Sequence, residues 1–372
     1  MSKKKLVFIC ESLGGGVRRH LIDLLYNLDS SIFEIYLIYG TDERIDEVFL
    51  KEIPTLKEND VTFFQIKEFQ REINFILDLK ALRHLYKLLR TIKPDIVHCH
   101  SSKAGVIGRI SAFFIGVKSI YYTPHGYYFL NDNLTNVKKH LFILVERILS
   151  KISKKNVHVS YGEENKAIEY RVLNKERSTV IFNGINKISS SIKQLGSGKI
   201  IIGTIARMDH QKNPWEFVNI AEKMCNENSS IEFWYIGDGE LFESIELYIK
   251  SKQLEENIKL MGFKPNATNF LRDFDVFLST SFYEGLPYTL IEAMSAGVPI
   301  VASDVTGNNE IVSDGNNGFN YELKNINEAV EKINILIQNK RLRKEIAIKA
   351  INIFDEKYSL DKMLSDYQKL YN

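Results

Sequence analysis

Cysteine is scarce in this chain. Three thiols, Cys10, Cys99 and Cys225, stand among 372 residues at no paired spacing, which argues against a disulfide framework or a thiolate metal site. Long hydrophobic runs are missing as well. No apolar stretch reaches the ~20 residues that a membrane-spanning helix needs. Residues 6–10, behind Lys3-Lys4-Lys5, are too short for the core of a signal peptide, so a cytoplasmic chain is expected. There is no internal repeat and no low-complexity tract. Arg19 stands where a dinucleotide fingerprint G-x-G-x-x-G would need its last glycine, so Gly14-Gly15-Gly16 does not complete that motif. His98-Cys99-His100 has the letters of a ligand cluster, but successive strand residues point to alternate faces, which speaks against a metal there.

What is present is enough for two ordinary domains: 44% hydrophobic and 26% charged residues, with nothing that suggests disorder. Apolar, β-prone runs alternate with helical patterns, the signature of an α/β architecture. Strands are expected at 6–10, 35–39, 96–98, 119–122, 157–160 and 180–182, and again at 200–205, 231–236, 258–260, 276–279 and 300–302. The polar, Ser/Gly-rich residues 186–199 lie between the two series and read as a linker. The expected organisation is therefore a Rossmann-like domain over 1–185, the linker, a second Rossmann-like domain over 200–352 and a terminal helical segment over 353–372.

A net charge of +2 hides an asymmetry. Residues 1–185 hold 28 Lys/Arg against 21 Asp/Glu, and residues 80–160 hold 14 against 3. Such a concentration suits a phosphorylated substrate or an anionic lipid surface. Lys80-Ala-Leu-Arg83-His-Leu-Tyr-Lys87-Leu-Leu-Arg90 places Leu82, Leu85 and Leu89 at helical spacing among basic residues. That pattern fits a helix on a membrane surface, or equally a surface helix packed on a sheet. No nucleic-acid partner is expected, because basic and aromatic residues are not interleaved in a recognised module.

The richest stretch is Ser281-Phe-Tyr-Glu284-Gly285-Leu286-Pro287-Tyr-Thr-Leu-Ile-Glu292-Ala-Met-Ser-Ala-Gly297-Val-Pro299-Ile-Val-Ala-Ser303. It sets two carboxylates on either side of a strand-to-helix connection, Glu284 on the loop and Glu292 about two turns into the helix, where they can touch two parts of one extended ligand. Backbone amides at such a connection can meet an anion or a hydroxyl-rich ring. Gly203-Thr-Ile-Ala-Arg207-Met-Asp-His-Gln-Lys212-Asn-Pro214 likewise follows an expected strand and precedes a helix, which puts Arg207 and Lys212 on a loop. Gly15 and Gly16 sit between the first strand and its helix and allow close approach of a phosphate or an acceptor. His100-Ser101-Ser102-Lys103 opens another helix after a strand. These side chains are candidates for an acceptor or a phosphate, and a capping serine with a solvated lysine explains the same letters.

The glycine run at 14–16, His125-Gly126, the segment 203–212, Gly237-Asp-Gly239, the segment 284–299 and Gly307-x-x-Glu310-Ile-Val-x-Asp-Gly315-x-x-Gly318 stand in one order. Together they are similar to the signature of retaining family-4 glycosyltransferases of the GT-B fold, in which two Rossmann-like domains face a central cleft. The resemblance implies that Arg207 and Lys212 bind the donor diphosphate in place of a metal and that Glu284 addresses the donor sugar. By the same resemblance Glu292 holds the ribose hydroxyls, His125 bonds the donor sugar and the backbone of Gly262 and Phe263 clasps the base. Amides of Gly285 and Leu286 would read sugar hydroxyls. The terminal helices would cross back to the first domain.

The expected activity is retaining transfer of a hexose or N-acetylhexosamine from a nucleotide diphosphate, UDP first among them, to a lipid-linked or growing surface-glycan acceptor. No cofactor or metal is called for. Peripheral contact with an anionic membrane through the basic first domain accompanies that reading. A glycosyltransferase acting on a soluble small acceptor and a non-catalytic nucleotide-sugar-binding subunit are the alternatives.

Overall fold

Runs of Val, Ile, Leu and Phe that are apolar at every position, not at alternate ones, belong to strands buried on both faces, and such strands form parallel sheets flanked by helices. The computed structural model describes residues 3–41, 47–70, 72–131, 134–188, 199–228 and 230–372, and most of the linker expected at 186–199 lies outside them. The chain divides into two compact units, one running to Asn183 and including Met363–Asn372, the other Gly184–Lys362.

The first unit carries strands β1 Lys4–Cys10, β2 Phe33–Tyr39, β3 Thr62–Gln65, β4 Ile96–His100, β5 Ser119–Thr123, β6 Lys155–His158 and β7 Ser178–Val180. Its helices are α1 Gly15–Asn27, α2 Glu47–Glu58, α3 Phe75–Ile92, α4 Ser102–Phe114, α5 Asn136–Leu149 and α6 Tyr161–Glu169. The sheet order is β3-β2-β1-β4-β5-β6-β7, and every pairing is parallel. β1 is central, with Phe8 opposite Leu37 on one side and His98 on the other, and Leu6 to Cys10 are fully buried. The basic helix α3 turns Leu85 and Leu89 into the core of this unit, with Leu82 packed against it. Those three leucines are therefore used for folding, while Phe75, Ile76 and Leu79 near the start of the helix stay exposed.

The second unit carries β8 Ile200–Ile205, β9 Ile231–Ile236, β10 Ile258–Leu260, β11 Val276–Ser279, β12 Ile300–Ser303 and β13 Gly318–Tyr321. Its helices are α7 Pro214–Glu227, α8 Phe242–Ser251, α9 Tyr288–Ser295, α10 Asn308–Ile311, α11 Ile326–Gln338 and α12 Lys340–Ile353. A last helix, α13 Leu360–Tyr371, passes at Met363 into the first unit. The order β10-β9-β8-β11-β12-β13 is again wholly parallel.

In each sheet the chain leaves the first strand to one side and later returns to its other side. The crevice beyond the carboxyl ends of strands at such a reversal is where open α/β sheets bind ligands. In the first unit the reversal lies between β1 and β4, in the second between β8 and β11.

Candidate functional site

At the reversal in the second unit, the loop after β8 meets the loop after β11. Lys212 Nζ donates to Glu284 Oε1 at 2.5 Å, and Ser281 Oγ donates to the same oxygen at 2.6 Å. Gln211 Nε2 approaches Glu284 Oε2 at 3.5 Å and bonds the Tyr283 carbonyl at 3.1 Å. The ion pair is largely sheltered, with side-chain exposures of 17% for Lys212 and 7% for Glu284. The two loops are laced together: Phe282 N donates to Gln211 O at 2.9 Å, and Thr280 Oγ1 reaches the carbonyls of Lys212 and Asn213 at 3.1 and 3.0 Å. Asp209 organises the cations. Its Oδ1 accepts from Lys212 N at 3.1 Å, and its Oδ2 pairs with Arg207 Nη2 at 2.9 Å while that side chain remains 68% exposed.

Two glycines are required by close backbone approach. A Cβ on Gly237 would lie 1.8 Å from Ala206 O, and its φ of +147° is itself disfavoured for side-chain residues. This lets Ala206 N bond Ile236 O at 3.0 Å and Met208 N bond Asp238 O at 2.9 Å, holding the Arg207 loop beside the Gly237 turn. Gly307, at φ +90°, comes so close to the Glu284–Gly285 peptide that a Cβ would meet Gly285 O at 2.5 Å. Glu284 N donates to Thr306 O at 3.2 Å, so the acidic loop is fixed from behind.

The other residues singled out in this unit have distinct settings. Glu292 is buried in α9 and Leu286 is buried beneath the loop, whereas no atom lies near a Cβ position on Gly285 or Gly262. Gly237 N donates to Gly262 O at 3.0 Å, and Phe263 beside it is 72% exposed.

At the reversal in the first unit the buried centre is built of uncharged histidines and tyrosines. Gly15 and Gly16 are exposed at the uncapped start of α1. One turn on, His20 is fully buried, with Nδ1 2.9 Å from Asn183 Oδ1 and Nε2 3.2 Å from Tyr367 Oη. His98 puts Nδ1 2.6 Å from Tyr371 Oη and Nε2 2.9 Å from Thr123 Oγ1. Thr123 also turns its hydroxyl towards Tyr367. With the amide oxygen as acceptor, His20 N–H donates to Asn183 and Tyr367 O–H to His20; with the Thr123 hydroxyl turned to Tyr367, His98 N–H donates to Thr123 and Tyr371 O–H to His98. This chain needs both imidazoles neutral. Burial supplies that, pushing His20 down to about 4 and His98 well below the usual histidine range.

His125 meets His20 edge-on, ring centroids 5.0 Å apart, and stacks on His100 at 5.3 Å. His100 is fully buried, with Nδ1 3.0 Å from His125 Nε2 and Nε2 left without a partner. An orphaned buried N–H is rarer than an orphaned acceptor, so His100 Nδ1–H donates and His125 keeps its proton on Nδ1. His125 and Ser101 hold φ of +53° and +71°, and Ser101 with ψ 169° occupies a region otherwise nearly reserved for glycine. Each such residue stores about 1–3 kcal/mol of strain, the kind that collects at ligand sites. Two carboxylates brace the strained turns. Glu163 accepts from Gly126 N at 2.5 Å and Val159 N at 3.1 Å, while Glu11 accepts from Lys103 N and Ala104 N at 3.3 and 3.0 Å. Lys103 Nζ is itself held by Asp78 Oδ1 at 2.7 Å and by the Glu72 carbonyl.

Among the described residues, one set of imidazole nitrogens, from His20, His100 and His125, lies within 4.8 Å of one another. The hydrogen bonds to Asn183, Tyr367 and between His100 and His125 already engage most of those nitrogens, so the set works as a hydrogen-bonded cluster. His98 and His100 do share a face of β4, two residues apart, with ring centroids at 4.3 Å. His20, Asn183, Tyr367, Asp209, Ser281 and Gln211 were not flagged by the sequence. Asp209, Gln211 and Ser281 lie within the quoted motifs and His20 one turn beyond the glycine run, whereas Asn183 and Tyr367 had no local cue.

Two parallel-sheet Rossmann-like domains are the architecture of the GT-B fold. The comparisons carry this to the family. Residues 14–187 match the family described as Glycosyltransferase Family 4, and residues 187–352 match Glycosyl transferases group 1. The chain is 30% identical over 327 residues to the UDP-Gal:alpha-D-GlcNAc-diphosphoundecaprenol alpha-1,3-galactosyltransferase of Escherichia coli, covering 83% of this chain and 84% of that one. It is 25% identical to the capsular polysaccharide biosynthesis glycosyltransferase CapM of Staphylococcus aureus over 85% and 87% of the two chains. Among solved structures, a Rickettsia africae glycosyltransferase superposes with a TM-score of 0.83 at 19% identity, over 100% of this chain and 98% of that one. Anabaena HepE in complex with UDP and glucose does so with 0.79 at 19% identity, over 98% of each. The chain belongs to the family-4 glycosyltransferases of the GT-B fold. Among the described residues, no helix is long and apolar enough to cross a membrane.

Proposed function

We propose that this glycosyltransferase moves a hexose or N-acetylhexosamine from a UDP-sugar, with retention of anomeric configuration and without a metal, to a lipid-linked or growing surface-polysaccharide acceptor. The observation that carries the reading is the sheltered Lys212–Glu284 pair at the strand reversal of the second unit. Transfer breaks the bond between the anomeric carbon and the diphosphate oxygen, so negative charge grows on the leaving group. Lys212 has three N–H donors and uses one on Glu284, and the exposed Arg207 fork is aimed by Asp209. Both fit the neutralisation of that charge by fixed protein cations.

In this reading Glu284 faces the anomeric carbon or its neighbouring hydroxyls, with Gly285 and Leu286 amides on the sugar. Glu292 takes the ribose, and the backbone of Gly262 and Phe263 takes the base. His125 offers its Nδ1–H to the donor sugar, and Gly15 and Gly16 let a phosphate approach α1. His100, Ser101 and Lys103 belong to the acceptor side, His100 acting through His125 because it is buried. The lipid-linked acceptor rests on the diphosphoundecaprenol named for the E. coli relative and on the basic first unit, which would sit against the inner face of an anionic membrane.

Calorimetry in the presence of a chelator tests the donor claim. Heat of binding with a UDP-sugar, together with slow release of free sugar, is the expected result. Binding that appears only when magnesium or manganese is restored, or only with a different nucleotide, overturns it.

A further inference from the structure

The basic helix α3 buries Leu85 and Leu89 and leaves Phe75, Ile76 and Leu79 exposed only near its start, whereas α5 exposes an apolar stripe along its whole length. Val137, Leu141, Leu144 and Ile148 are 81%, 56%, 49% and 55% exposed. They recur at intervals of four, three and four, so at 3.6 residues per turn they fall within an arc of about 60° on one side of the helix. The other side packs inward through Ile143, Glu146 and Leu149. Glu146, the single acid of this helix, is turned into the core, where Oε2 pairs with Arg109 Nη2 at 2.7 Å and Oε1 accepts from Tyr122 at 3.1 Å. The outer face therefore carries no acidic residue, and Lys138, His140, Arg147 and the following Lys151 flank the apolar stripe.

An aliphatic stripe bordered by cations, on a helix whose other face is already anchored, is the pattern of a segment lying in a lipid headgroup layer. Monomeric surfaces rarely expose large apolar side chains in a row, and the absence of acids suits a negatively charged occupant. We propose that the outer face of α5 seats the protein on an anionic phospholipid bilayer, with Leu141 and Leu144 at the centre of the contact. This deepens the lipid-linked acceptor reading, on which its purpose rests. It places the contact of the basic first unit on α5, where the apolar stripe runs the length of the helix.

The test is sedimentation of the full chain with vesicles of phosphatidylcholine alone and of phosphatidylcholine mixed with phosphatidylglycerol, for wild type and for Leu141→Glu with Leu144→Glu. Wild type is expected to sediment with the anionic vesicles only and to be partly released by salt. The double variant, with unchanged circular dichroism and melting temperature, is expected to bind at least about tenfold more weakly, a change of ~1.4 kcal/mol. Wild type remaining in solution with both vesicle types, or a variant that sediments like wild type, overturns the proposal. So does a variant that turns a dimer into monomers while neither protein binds lipid, which would make the stripe an interface between copies. Release of sugar from a UDP-sugar in lipid-free buffer should be equal in both proteins. Its loss in wild type would sink the donor reading and leave the vesicle result standing.

Discussion

The two strand reversals handle opposite problems. In the second unit, charged groups meet at the reversal: Lys212 with Glu284, sheltered, and Arg207 with Asp209, the arginine exposed. In the first, the same topological position is filled by neutral histidines and by tyrosines of α13, joined by hydrogen bonds and almost wholly buried. A sheltered charged pair whose lysine keeps N–H donors to spare, beside an exposed arginine, can exchange partners with an incoming diphosphate. A buried neutral chain cannot, because each member already has its donor and acceptor assigned, so it sets the shape and tautomer of whatever it supports. The contrast teaches that one topology places the ligand crevice while the side chains decide whether that crevice carries charge or holds geometry.

The sharpest way to break the comparison is to remove the cation. Lys212→Ala should lower kcat/KM by about 10²–10³, the loss usual for one preorganised transition-state donor. Glu284→Gln should fall in the same range with the protein still folded, since Ser281 and Gln211 can bond the amide. Steady-state kinetics on both variants check this, and near-normal turnover in either would take that residue out of the mechanism.

Acid separates the two units next. His20 and His158 are held near 4 by burial, against an ordinary 6.5. A histidine with a lowered folded value binds fewer protons folded than unfolded. Its contribution is therefore complete above pH 6.5 and is lost as pH falls towards 4, on the order of 3 kcal/mol for each. His98, His100 and His125 act in the same direction. Asp23, raised to about 6 by burial, opposes them, because its penalty is relieved as it takes up a proton below pH 6. All six groups lie in the first unit. Calorimetric scans between pH 7 and pH 4.5 should therefore show the first unit's transition moving down further than the second's, and equal shifts would refute the assignment.

How much of this could be read from the letters follows the same division. Strands buried on both faces announced themselves as continuous apolar runs, as in Ile200–Ile205 and Val276–Ser279. The two that were missed, Thr62–Gln65 and Gly318–Tyr321, are four-residue strands at sheet edges, where half-exposed or polar positions interrupt the run. The strands expected at 157–160 and 180–182 begin and end two residues earlier. Ser160 is instead the cap of α6, its side chain accepting from Glu163 N at 3.1 Å. In the second unit the charged pair was legible because each member sits in a local strand–loop–helix motif. The hydrogen-bonded chain of the first unit was not. It joins residue 20 to 183 and 367, and residue 98 to 371, and no local pattern marks a tyrosine on an amphipathic terminal helix as the donor to a histidine.

The smallest effect compares two buried tyrosine hydroxyls. Tyr371→Phe leaves His98 Nδ1 with no donor inside an apolar surround, which costs about 1–3 kcal/mol. Tyr321 in the second unit donates to Glu216 Oε1 at 3.0 Å, but that carboxylate also accepts from Lys324 N at 3.1 Å and from Asn213 Nδ2 at 2.6 Å. With two donors remaining, Tyr321→Phe should cost only about 1 kcal/mol, the net worth of an ordinary hydrogen bond. Denaturant unfolding of the two variants measures the difference. If Tyr321→Phe proves the more damaging, the first unit's chain is not the strictly assigned network drawn here, because another donor must then be able to reach His98.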